Sequence, residues 1–499
     1  MHLLWSSMTK IKEFLKENYI LMSIILFGIL LRILYIQHVD FDEVMYVTGA
    51  KNILAGVYDV THVTWAATLR YVFMLLVTLL VYLFGTNHYG VIVLPFVSTI
   101  ITIGSVYLIG KKILNKKVGL ISTFLVAIFP LNIKYASMLE ADVVITALMS
   151  LCFVLYLYKK DNWSFLLMGV IFGLGLFIKF FIALIGIVIA LELLKKKEFK
   201  AMIIIGLGVL LSSFPFIFYN WSNTGDLLYH IHQDQKLADN YREQVVLSGQ
   251  NQLTTFFPYI LNPFSKQPEP SLFNIYFILI LIYLYYSIKR KERSHIILWL
   301  WFIGGYLLLE LPSIIPPVQR YLMIIMIPLV LLLGIWFEKI ENKAYLGIVL
   351  GALLLISIVQ MGAFTVFDNV PRTSEQRIAI LLKTLPTKDV YVTHNNQIGY
   401  LTYYLDYAHN YSGLFGYQGP TDHTFYDLHF VNNLSVIRNA YVVIDYRLIK
   451  NGTDIMNYYA MNNVSIEYLK DATIPNDWHG VYGLIDKNNK LVGGVWDVP

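Results

Sequence analysis

The sequence predicts an all-α polytopic membrane domain over residues 1–366, followed by a small extracytoplasmic α/β domain over residues 367–499. Three observations carry this reading. Hydrophobic residues make up 57% of the 499 positions and charged residues only 14%, where soluble chains run near ~25% charged. The apolar residues are gathered into runs long enough to cross a bilayer. The charge also divides: residues 367–499 hold 10 basic and 13 acidic side chains, leaving 28 and 20 for the rest of the chain. A secreted disulfide scaffold is excluded, since the one cysteine, Cys152, lies inside an apolar run.

Lys10, Lys12 and Lys16 precede the run Ile20–Ile36. No small-residue cleavage site follows, so an uncleaved anchor is expected. Ten further runs follow: Tyr89–Gly110, Val118–Ile133, Leu139–Tyr158, Trp163–Ile178, Phe180–Leu194, Ala201–Tyr219, Ser271–Ile288, His295–Leu311, Tyr321–Phe337 and Ala344–Phe364. The run Leu69–Phe84 decides the topology. If it does not cross, the N-terminus, Lys111–Lys117, Lys159–Lys160, Lys195–Lys200, Lys289–Arg293 and Lys339–Lys343 all share one side. Cytoplasmic loops are the ones enriched in Lys and Arg, so this run is expected as a re-entrant or interfacial helix. About eleven spans remain, with the N-terminus cytoplasmic and the C-terminal domain outside.

In the tail, Thr373 or Ser374 is placed to cap an amphipathic helix containing Ile378, Leu381 and Leu382. Strands are expected at Val390–Thr393 and Tyr441–Tyr446, and a hairpin from Val481 to Trp496 turning at Asp486–Lys490.

Ionisable residues gather at the outer ends of the spans. Asp40, Asp42 and Glu43 follow the first span. They fit a solvated loop, but a carboxylate held at the membrane surface also suits a general base that deprotonates an acceptor hydroxyl. Glu140 and Asp142 sit at the outer end of another span, where an acid is costly unless it meets water or a partner. Lys179 interrupts an apolar stretch at its outer turn, and Arg320 opens a span after Pro316 and Pro317. Each cation can snorkel to the interface or hold a lipid-linked phosphate. Arg32, inside the first span, reads as structural.

The first outer loop, with Asp42-Glu43 followed by Tyr46, Ala50, Leu54 and Gly56, resembles the acidic pattern of the protein mannosyltransferase and lipid A aminoarabinose transferase group. These are membrane glycosyltransferases of the C type (GT-C). The resemblance continues through Leu83-Phe84-Gly85, Pro130, Asp142, Gly173–Lys179 and Arg320-Tyr321, and covers roughly residues 20–340. It implies a GT-C fold, a polyprenyl (dolichyl or undecaprenyl) phosphate-sugar donor, an extracytoplasmic site and inverting transfer to a protein, glycan or lipid. By matching position Asp42 is the catalytic carboxylate, with Glu43 beside it and Asp142 supporting the site. Lys179, Arg320, Tyr321, Tyr46, Glu140 and His62 are carried as substrate-binding candidates. The chain departs from the family at His62-Val63-Thr64-Trp65, where members usually show prolines.

Asp226, His230 and Asp234 are spaced i, i+4, i+8 in a long outer loop that also holds His232. That spacing suits a divalent metal or, equally, the polar face of an interfacial helix. Metal dependence stays open and no other cofactor is implied. Walker, dinucleotide-binding and nucleophile-elbow motifs are absent, and the short basic clusters read as topology signals rather than a nucleic-acid surface. The rival reading is a transporter or flippase for a lipid-linked or amphipathic solute. Such proteins keep ionisable residues near the bilayer midplane and often show repeated halves. Here the charges gather near one face and no repeat is visible.

Overall fold

The structure, a computed structural model, describes residues 2–37, 41–58, 60, 69–233, 235–236, 271–289, 295–310 and 319–368, with six strands between 389 and 498. The chain divides into two compact units. One comprises Met1–Ile36, Arg70–Phe73 and Ile92–Phe364; the other comprises Gln37–Leu69, Met74–Val91 and Thr365–Pro499.

Fifteen α-helices are described: α1 His2–Leu34, α2 Phe41–Leu54, α3 Tyr71–Phe84, α4 His88–Val91, α5 Val93–Ile113, α6 Lys116–Ala127, α7 Pro130–Lys134, α8 Ala141–Tyr158, α9 Asn162–Leu176, α10 Ile182–Lys195, α11 Phe199–Thr224, α12 Ser271–Lys289, α13 Ile296–Glu310, α14 Met323–Glu338 and α15 Lys343–Asp368. Each of the eleven expected runs is helical. Among the described residues, five helices are long and apolar enough to cross a membrane, six if one bent pair is a single span. Several of the others are short. The 14 residues of α10 reach ~21 Å at 1.5 Å per residue, against a hydrocarbon core of ~30 Å.

The apolar exterior identifies a multi-pass membrane protein. On α11, Ile203, Leu210, Leu211 and Phe214 are 64–67% exposed, an arrangement suited to lipid and costly in water. By contrast α14 is apolar all round and almost wholly buried, as the central helix of a bundle should be. Between α9 and α11, small residues let the backbones meet. A Cβ added at Gly169 would lie 2.2 Å from the carbonyl of Ile205, so this crossing requires glycine.

The run Val118–Ile133, continuous in hydropathy, folds as a broken helix. Its two parts, Lys116–Ala127 and Pro130–Ser137, are bent by 60°. The cause is Pro130, which removes a donor and forces Phe129 to an extended ψ of 116°. Arg32 caps the end of α6 at the break. Its buried guanidinium donates to Ala127 O at 3.0 Å, to Val126 O at 3.5 Å and to Gly28 O at 2.7 Å.

The two ends of α8 carry different chemistry. At its last turn Lys196 Nζ donates to the Tyr156 hydroxyl at 2.7 Å, Lys160 Nζ stands 4.1 Å from the Tyr156 ring, and Lys112 Nζ stands 5.3 Å from the Tyr158 ring. The lysine-bearing ends of α5, α8 and α10 thus meet on one face. Asp142 lies at the opposite end, ~24 Å along the helix.

In the second unit the tail carries β1 Asp389–Val392, β2 His409–Ser412, β3 Tyr426–Phe430, β4 Ala440–Asp445, β5 Glu467–Lys470 and β6 Gly493–Val498, in the order β2-β3-β1-β4-β6-β5. The first four are parallel, with Val390 opposite Leu428 and Tyr441. The expected helix after Thr373 lies outside the described residues. The first arm and turn of the expected hairpin lie outside the described residues; its last residues fall in β6, which lies between β4 and β5, antiparallel to both. The apolar run Tyr441-Val442-Val443-Ile444 makes β4 a central strand that takes partners on both sides.

Candidate active site

In the first unit, four charged side chains far apart in sequence converge at the start of α8. Glu140 is its N-cap residue and Asp142 lies in its first turn, where the helix dipole favours negative charge. Lys179 occupies the turn between α9 and α10, held by its amide donating to Gly175 O at 2.8 Å. Its Nζ donates to both Asp142 oxygens at 2.7 and 2.9 Å and stands 3.8 Å from the Tyr321 ring. Arg320 opens the segment leading into α14. Its Nη1 donates to Glu140 Oε1 at 2.6 Å and its Nε lies 3.4 Å from Asp142. Both acids are fully buried; the Lys179 side chain is 4% exposed and that of Arg320 19%.

Two carboxylates and two cations balance one another, which makes burial tolerable. Asp142 is the hinge of the network, since it faces both cations. Lys179 is committed to it, while Arg320 keeps the more open face. Arg70 adds a third positive charge felt at Lys179. It stands just before α3, whose Val72 amide donates to Phe177 O at 3.2 Å beside the Lys179 turn. Sequence reasoning missed Arg70. The available signal was the one that found Arg320, a cation opening an apolar run.

In the second unit, Asp42 and Glu43 occupy the first turn of α2 and Tyr46 lies one turn on. Glu43 and Tyr46 are fully buried and Asp42 is 8% exposed. His88 Nδ1 lies 2.8 and 2.9 Å from the two Glu43 oxygens, and its Nε2 lies 2.8 Å from Gln37 O. His88 was also missed, for want of any signal: it is a lone histidine in the short link between two apolar runs.

His62 and Asp234 lie outside the described residues. Asp226 precedes the helical turn that holds His230, so the two do not share a helical face. Asp226 accepts from His232 at 2.6 Å, which holds its carboxyl below the usual range. His230 turns away. Its Nδ1 accepts from Asn220 at 3.1 Å, and its ring packs 4.6 Å from that of Phe177. Burial pulls it down from 6.5 to about 4. Among the described residues, no three His, Cys, Asp or Glu side chains come together as a metal site.

Residues 71–221 match the model of the dolichyl-phosphate-mannose-protein mannosyltransferase family. That segment contains Glu140, Asp142 and Lys179; Asp42 and Arg320 fall outside it. No curated protein matches by sequence. Among solved structures, the fold is similar to ArnT from Cupriavidus metallidurans bound to undecaprenyl phosphate, with a TM-score of 0.61 and 12% identity, over 91% of this chain and 97% of that one. It is also similar to the apo oligosaccharyltransferase of Archaeoglobus fulgidus, with a TM-score of 0.56 and 12% identity, over 89% of this chain and 70% of that one. Together these place the chain's likeness in the GT-C mannosyltransferase and aminoarabinose transferase group, as the acidic loop and the charged span ends had suggested.

Proposed function

We propose that the protein is a membrane glycosyltransferase that moves a sugar from a polyprenyl-phosphate donor to a protein, glycan or lipid acceptor on the extracytoplasmic side. The observation that carries this reading is the buried Glu140–Arg320 and Asp142–Lys179 network at one end of α8. A charge network at a helix end, rather than at mid-helix, favours chemistry at the membrane surface over transport through it.

In the proposed reaction the acceptor oxygen attacks the anomeric carbon from the face opposite the phosphate. Asp42 takes the hydroxyl proton as the new bond forms. The bond from the anomeric carbon to the phosphate oxygen breaks, and the polyprenyl phosphate departs with one more negative charge than the donor carried. Arg320 and Lys179, with Arg70, offset that charge; preorganised donors of this kind are worth roughly 10²–10³ in rate each. Asp142 and Glu140 hold the cations in place, and Glu43 supports the turn that bears Asp42. Tyr321 and Tyr46 are proposed to border the substrate. A divalent metal remains compatible with this scheme but has no step in it.

The test is direct. Purified protein in lipid nanodiscs is incubated with a panel of polyprenyl-phosphate sugars and candidate acceptors. Release or transfer of sugar from one donor is expected. Failure with every donor, together with translocation of a labelled lipid-linked solute in vesicles, would replace the enzyme with a transporter.

A further inference from the structure

His88 touches both ends of the segment that carries the acidic pair. Its Nε2 meets the carbonyl of Gln37, before the segment, and its Nδ1 meets the carboxylate of Glu43, inside α2. A carbonyl can only accept, so Nε2 bears a proton. Nδ1 faces a carboxyl group, so one further proton is shared between ring and carboxyl, whichever carries it. Either way the contact is a hydrogen bond at 2.8 Å, and with the proton on the ring it is charge-assisted. The partners are well shielded: Glu43 is 0% and the His88 side chain 13% exposed. Asp42 is joined to Glu43 by one peptide bond in the first turn of a helix, so fixing Glu43 fixes the direction of Asp42.

We propose that His88 is a positioning residue that clamps the acidic turn through Glu43 and holds Asp42 in line for proton transfer. This rests on the glycosyltransferase reading above. A misplacement of about 1 Å at a catalytic group costs ~10²-fold in rate, so the clamp governs turnover rather than donor capture.

The experiment uses the full-length protein on a verified donor. His88→Ala is expected to cut kcat about 10- to 100-fold while the donor KM stays within about threefold. His88→Asn keeps an amide donor where Nδ1 stood, and His88→Gln keeps one where Nε2 stood. Asn is therefore expected to recover more turnover than Gln. In a Glu43→Ala background, His88→Ala is expected to add less than about twofold. The same cycle is read a second time as unfolding midpoints in detergent, which need no activity and identify any variant that fails to fold. Additive effects of the two substitutions overturn the clamp. Wild-type kcat in His88→Ala, with Asp42→Asn inactive on the same donor, overturns the positioning role alone. Absence of turnover in the wild type overturns the activity and the role of His88 in it, while non-additive midpoints would still establish the His88–Glu43 clamp.

Discussion

Asp142 shows what a single residue must satisfy to sit buried at a helix end. It is fully buried, and it is tolerable because Lys179 lies 2.7 Å away and the first turn of α8 favours its charge. Removing Lys179 leaves buried Asp142 with Arg320 Nε, 3.4 Å away, as its remaining cation, and breaking a buried pair costs up to ~3–5 kcal/mol. Lys179→Met should therefore lower the unfolding midpoint sharply, and Lys179→Met with Asp142→Leu should recover much of the loss. Arg320 differs because its side chain is 19% exposed. Arg320→Ala should weaken donor binding by roughly tenfold or more, since hydrogen bonds to charged groups are worth ~1.5–3 kcal/mol. Its effect on the midpoint should be smaller. Unchanged donor affinity in a calorimetric titration would return Arg320 to a structural role. These charges were legible in the sequence because a charge at the end of an apolar run is rare and needs a reason. Their pairing was not, because Glu140 and Arg320 are 180 positions apart. His88 was invisible for a different cause: its meaning comes wholly from two acceptors brought to it by folding.

At the scale of elements, hydropathy located the long apolar helices among the described residues but not their breaks, nor α2. The bend after Ala127 depends on Pro130, a local signal, and on Arg32, whose partners come from another helix. Replacing Arg32 by Met should take the side-chain donor from Ala127 O, while Val126 O keeps the Asn132 amide at 3.2 Å, and destabilise the bundle by ~1–3 kcal/mol, measurable as a lower midpoint in detergent. The segment after α11 offers a pH test. His230 is held neutral by burial, with Asp226 opposing that effect and His232 adding to it. An opened segment would take up a proton near 6.5, whereas the folded one resists until about 4. The anchor is thus at full strength above 6.5, weakens as pH falls through that window and levels off below about 4. Hydrogen exchange over Leu228–His232, corrected for intrinsic rate, should quicken from pH 7 to 5 relative to α11. His230→Gln should remove the difference. The tail illustrates the opposite limit. Of its strands, β1 and β4 were readable from β-branched and aromatic runs, β2, β3 and β5 were not, and the pairing of β6 with β4 and β5 is non-local and left no mark on its neighbours.

For the whole molecule, the charge parity of the loops makes one claim about orientation. Lys112, Lys160 and Lys196 gather at one end of the bundle, and Lys and Arg favour the cytoplasm. A single cysteine at position 115 should be shielded from an impermeant reagent in intact cells, whereas one at position 140 should lie on the opposite side; external labelling at 115 would invert the account. The central claim is that this chain transfers sugar with Asp42 as the base, and a pair of variants tests it most directly. Asparagine keeps the shape of aspartate and still accepts a hydrogen bond, but it cannot take a proton at neutral pH. Turnover of a verified polyprenyl-phosphate sugar should fall by ~10²-fold or more in Asp42→Asn, with donor affinity largely kept. Asp40→Asn removes one carboxylate from the same short segment and should be much milder. Wild-type turnover in Asp42→Asn would contradict the account.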